Sequence, residues 1–120
     1  MDLSRKLRPT AAAPGTARRS LDRLAETIPP DRLDELRLIV SELVTDSVRH
    51  SGDGDWIRMN VETLPGCVRV EVSDDGVGFG SESGQGFARG RGLGIVNHFA
   101  ERWGHEGGPQ NTVWAEVALG

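Results

Sequence analysis

Between Ile57 and Val72 the apolar residues return at every second position: Ile57, Met59 and Val61, then Val68, Val70 and Val72, with Arg58, Asn60, Glu62, Arg69 and Glu71 between them. Period two marks strands that are covered on one face and wet on the other. The intervening Leu64-Pro65-Gly66 suits a tight turn, so the two runs predict an antiparallel hairpin with one apolar face to bury.

The cover is expected from the preceding residues. Asp31 is placed to cap a helix over 32–52, which Gly52 ends, and Leu33, Leu36, Ile39, Val40, Leu43 and Val44 form a broad apolar stripe at about 100° per residue. Glu42, Asp46 and Arg49 fall together on a ridge beside that stripe. A shorter amphipathic helix is expected from Thr16, with Ala17, Leu21, Leu24, Ala25 and Ile28 on one side and Pro29-Pro30 as its stop. Residues 1–14 read as a short strand, DLSRKLR, followed by a loop in which two prolines block a continuous helix.

Beyond the hairpin, eight glycines occupy the nineteen positions from Gly76 to Gly94, which predicts a mobile loop with little to pin it to a core. Leu93, Val96, Phe99, Ala100 and Trp103 then return at helical spacing, with Gly104 as the expected stop. Val113, Ala115, Val117 and Leu119 alternate with Trp114 and Glu116 as a final strand. The order implies one α+β domain over 1–120, a two-layer α/β sandwich with helices on one face of a mixed, mainly antiparallel sheet. Two βαβ units are missing, which disfavours a doubly wound nucleotide fold.

Net charge of -4 argues against a general nucleic-acid or anionic-membrane binder. The single Cys67 excludes an internal disulfide and reads as an inert strand residue, in keeping with a cytoplasmic setting. No apolar run approaches the roughly 18 residues of a membrane helix, and the first ten residues lack the apolar centre of a signal peptide. His50, His98 and His105 show no metal-ligand spacing, and Trp56, Trp103 and Trp114 read as filler rather than a stacking platform.

Three stretches carry candidate chemistry. Asp74, at a strand end, is able to accept a hydrogen bond from an exocyclic amine while Gly76 and Gly78 let a flat ring lie against the backbone; an ordinary Asp-Gly turn is the competing reading. Asp75 reads as a solvated turn residue. Gly92 and Gly94 in GRGLGIV open a helix and form either an anion seat or a plain linker. On the ridge, Asp46 suits a hard cation such as Mg²⁺ and Glu42, one turn earlier, suits a general base; a solvent-facing charged strip is the alternative. A Walker-type phosphate loop, a nucleophile elbow and a dinucleotide fingerprint are all lacking.

In order and spacing, SELVTDSVRH, DDGVGF, GRGLGIV and NTVWAEVAL resemble the four conserved boxes of the GHKL ATPase superfamily, from about Ala17 to the end. The short length and the ERWG…TVWAEVAL ending look most like bacterial anti-sigma-factor serine/threonine kinases. The resemblance implies the Bergerat ATP-binding fold, ATP and Mg²⁺ as cofactors, and a lid over 79–91. It implies that Asp74 reads the adenine amine, that Gly76, Gly78, Gly92, Leu93 and Gly94 shape the pocket, and that Thr112 supports the adenine side. Glu42 matches the base, Asp46 the metal position, Arg49 a basic position facing phosphate, and Arg91 approaches the phosphates from the lid.

By the same likeness the partners are a sigma factor and an anti-sigma-factor antagonist, with homodimerisation expected and no direct contact to nucleic acid or membrane. Two positions depart from the pattern: Asp46 stands where the family usually has asparagine, and Gln110 where the last box usually has glycine. They favour the alternative of a nucleotide-gated or nucleotide-free module that sequesters its partner without chemistry.

Overall fold

The computed structural model describes residues 2–50, 56–75, 93–106 and 110–119. Along it run β1 Leu3–Leu7, α1 Ala13–Ser20, α2 Pro30–His50, β2 Ile57–Leu64, β3 Cys67–Asp74, α3 Leu93–Phe99, β4 Arg102–Glu106 and β5 Asn111–Ala118. The strands form one sheet in the order β1-β2-β3-β5-β4, and all its pairings are antiparallel, so the expected mixed character is absent among the described strands. Helices lie against one face, giving the expected α+β sandwich. No helix among the described residues is long and apolar enough to cross a membrane.

The hairpin forms as its alternation dictates. Leu64 pairs with Cys67 across Pro65-Gly66, and Gly66 takes φ 83°, which a type II turn requires after a proline. Ile57, Met59, Val61, Val68, Val70 and Val72 are all buried. Above them α2 buries the whole expected stripe, Leu33 to Val44. Each such aliphatic side chain removed from water contributes roughly 1.5–3 kcal/mol, so this layer contact is the main source of stability.

Three expectations need correction. The first helix begins at Ala13, not Thr16, because Pro14 sits in its first turn, where a missing N–H costs nothing. It ends at Ser20 and passes into a 3-10 turn, Leu21–Leu24, whose two leucines lie three apart and are both buried, while Ala25 is exposed. Asp31 lies inside α2, one residue after Pro30, and its Oδ1 accepts from the Arg32 backbone N–H at 2.9 Å.

The third correction is larger. Helix α3 stops at Phe99, and Trp103 and Gly104 belong to an additional edge strand, β4. Its register places Arg102 opposite Glu116 and Gly104 opposite Trp114. Arg102 donates to Glu116 Oε1 from Nη2 at 2.6 Å, and Gly104 leaves room for the Trp114 ring. A helix through Trp103 would forgo both.

On the uncovered face of the sheet, Arg69 donates to Glu71 Oε2 at 2.9 Å and to Glu116 Oε2 at 3.0 Å, and its guanidinium lies 4.3 Å from the centre of the Trp114 ring. The tryptophan is thus a platform for an arginine rather than plain filler. The hydrogen bonds from Arg102 hold the Glu116 carboxyl below the usual range, against the burial that raises it, and Arg69 adds to the effect. Burial pushes the thiol of half-buried Cys67 up, with Glu116 and Glu101 adding, in keeping with an inert strand cysteine.

A Cβ at position 104 would approach the Trp114 ring to 2.8 Å. Gly104→Ala is therefore expected to destabilise the fold by about 1–3 kcal/mol through overpacking, read as a lower urea midpoint with unchanged slope. For Glu116, a depressed folded pKa means its contribution is present above the ordinary carboxylate range and lost as pH falls through the folded value. Glu116→Gln is expected to lower Tm at pH 7, and the gap to the parent is expected to close as pH drops below the ordinary carboxylate range.

Candidate nucleotide site

Asp74 is the last residue of β3, and the alternation that buries Val68, Val70 and Val72 carries its side chain onto the same helix-facing side. Only 1% of it is exposed. Directly opposite on β5 stands Asn111, also buried, whose Nδ2 donates to Asp74 Oδ1 at 3.4 Å. The carboxylate is thus held by an amide at the rim of the core, where a buried acceptor is costly without a partner. Asp75 is not a solvated turn residue: it is half-buried, and its Oδ1 accepts from the backbone N–H of Trp56 at 3.2 Å, tying the start of β2 to the end of β3.

Thr112 stands one residue from Asn111 and so on the other face. It is opposite Ser73, and the two hydroxyls lie 3.0 Å apart. The side chain that shares Asp74's face is therefore Asn111, which sequence reasoning passed over. The available signal was the strand register: counting inward from the buried Val113 puts position 111, not 112, on the core face.

Helix α2 packs on β3 and β5 and ends at His50. The next described strand, β2, starts at Ile57, paired with Asp74. The expected ridge on α2 is graded. Glu42 is half-buried, Asp46 is 3% exposed and sits beside buried Ser47, and Arg49 is exposed. The strip is thus not simply solvated: its middle residue is sunk into the protein.

Leu93 and Gly94 open α3, which packs against α2, and Gly94 is exposed with no heavy atom within 4 Å of a Cβ built on it. The expected pocket residues Gly76, Gly78, Arg91 and Gly92, and the lid over 79–91, lie outside the described residues. Among the described residues no three His, Cys, Asp or Glu side chains converge as a metal cage. Asp46 is the one carboxylate expected to face Mg²⁺, a cation that takes one or two carboxylates and completes its shell with phosphate oxygens and water. The buried carboxylate and amide at the β3/β5 end fit the amine and ring nitrogen of a purine.

Asn111→Leu removes the amide that β5 places opposite Asp74 Oδ1, and it is expected to cost about 1–3 kcal/mol in urea denaturation. Thr112→Val, on the opposite face, is expected to cost less than about 1 kcal/mol, since it breaks one part-buried hydroxyl contact.

Comparison with curated proteins finds no match. The family model of the histidine kinase-like ATPase domain matches residues 7–117, spanning every element from the end of β1 through most of β5. With the helix-covered antiparallel sheet and a buried acid at the end of its central strand, the chain belongs to the histidine kinase-like ATPase domain family and is an ATP-binding domain of the GHKL type.

Proposed function

We propose that the protein is an ATP- and Mg²⁺-dependent serine/threonine protein kinase that binds a sigma factor and inactivates an antagonist of that binding by phosphorylating it. The observation that carries the nucleotide part is the buried Asp74 carboxylate with the Asn111 amide beside it. The sigma-factor and antagonist part rests on the resemblance of the four sequence boxes and of the chain's ending to anti-sigma-factor kinases.

In this reading Asp74 accepts from the purine amine, and Asn111 orients that carboxylate. Asp46 would hold the metal, and Arg49, exposed one turn later, would meet the phosphate tail. Bound ATP supplies a transferable γ-phosphoryl group. Glu42, half-buried, accepts the proton of the substrate hydroxyl as the new oxygen–phosphorus bond forms and ADP departs. Two chains pairing as a homodimer in a cytoplasmic setting belong to the same proposal.

One observation favours a second reading, a partner-sequestering module without turnover. Asp46 is buried and acidic where the family usually has a neutral asparagine, and an extra negative charge beside a triphosphate weakens its binding. Calorimetric titration with ATP, with and without Mg²⁺, separates the readings. Micromolar, Mg²⁺-dependent binding that Asp74→Asn weakens at least about tenfold supports the kinase, since a charge-assisted hydrogen bond is worth roughly 1.5–3 kcal/mol. Radiolabelled phosphate is then expected on a partner serine, and Glu42→Gln is expected to slow the transfer by about 10²-fold or more with ATP affinity kept. Binding without transfer, and a gain of transfer in Asp46→Asn, would establish the second reading instead.

A further inference from the structure

We infer that the groove between β1 and α1 docks an acidic stretch of a protein partner, with Arg5, Arg19 and Arg23 pairing with its carboxylates. The groove has a volume of about 260 Å³ and is lined by Arg5, Thr16, Arg19, Ser20 and Arg23. Arg5 comes from the edge strand, Arg19 from the last turn of α1 and Arg23 from the 3-10 turn that follows.

These arginines differ from others on the molecule. Arg32, Arg37, Arg69 and Arg102 each pair with a carboxylate, whereas Arg5, Arg19 and Arg23, like Arg8, Arg18 and Arg58, form no ion pair among the described residues, and only these three converge on one groove. The carboxylate next in sequence to Arg23, Asp22, is taken by Arg37 at 2.7 Å. Arg19 reaches only the Thr16 hydroxyl, at 3.3 Å, and Ser20 donates to the Thr16 carbonyl at 2.9 Å, so the floor of the groove is hydroxyl and guanidinium.

Charge is unevenly spread along the chain. Residues 1–23 hold six of the fourteen Lys and Arg but two of the eighteen Asp and Glu. Three guanidinium groups around one groove repel one another, a cost that an anionic partner relieves.

Two ordinary roles account for part of the set. A charge on an edge strand deters edge-to-edge pairing, which covers Arg5, and a cation in the last helical turn suits the helix dipole, which covers Arg19. Neither role explains Arg23 or the convergence of all three with two hydroxyls. Carboxylates are favoured over phosphate for two reasons. The groove adjoins the C-terminal end of α1, whose partial negative charge disfavours a dianion, and it presents separated guanidinium forks rather than a nest of backbone N–H groups. A nucleic acid is disfavoured by the net charge of -4. The inference needs no bound nucleotide and stands apart from the kinase proposal.

The test is fluorescence anisotropy with fluorescein-labelled decaglutamate at 50 and 150 mM salt, with folding of each variant checked by its melting curve. Each of Arg5→Ala, Arg19→Ala and Arg23→Ala is expected to weaken binding about threefold, and Arg23→Glu, at an exposed position, by about tenfold. Arg58→Ala carries the same charge change on the opposite face and is expected to leave the affinity unchanged. Amide shifts on titration are expected at residues 5 and 16–23. The inference is overturned by no measurable binding, by an Arg58→Ala loss equal to that of a groove variant, or by oligothymidylate or a phosphoserine peptide of equal charge binding more tightly than decaglutamate.

Discussion

The register of β3 against β5 is the constraint on which the rest of the molecule depends. Val68, Val70 and Val72 face α2 only because they pair with Val117, Ala115 and Val113, which face it too. Slipping β3 by one residue would turn its three valines to water and bring Arg69 and Glu71 against the helices, a change no marginally stable domain survives. The same pairing leaves the next step of the alternation, Asp74 and Asn111, buried on the helix side beyond the last valines. The candidate nucleotide acceptor is thus the core face of the sheet carried one residue past its apolar part.

The opposite face is organised differently. No described helix covers it, and polar side chains give it order: Glu116 takes Arg69 on one side and Arg102 on the other, and Arg69 lies over Trp114. Glu116 is buried although both its partners are charged and one is largely exposed, so the network does not owe its geometry to a dry interior. Its effect is to join β4 to the sheet edge. Strand β4 is short, and Gly104 is the position where the backbone comes close enough to Trp114 to exclude any side chain. Charge pairing outside and valine packing inside therefore hold one register from two faces.

Electrostatically the molecule is divided. Asp74 and Asp75 close one end of β3, whereas the β1/α1 edge carries an excess of arginine. An ATP-binding domain and an arginine-rich edge thus share one small sheet.

The periodicities alone determined the two layers. The stripe from Leu33 to Val44 and the alternation from Ile57 to Val72 recur in the buried core residue for residue, because a period of 3.6 or 2 leaves one face to hide and the hydrophobic effect hides it. Asp74 as a strand-end acid was legible for the same reason. Local spacing could not say where α3 ends, since Trp103 fits a helical stripe as well as a strand; pairing with β5, through Glu116 and Trp114, decided it. Nor could it say that Asn111 and not Thr112 meets Asp74, that Asp75 ties down Trp56, or that Arg5 joins Arg19 and Arg23. Those are contacts between residues distant in the chain, and they follow from register and packing, which exist only once the sheet has closed.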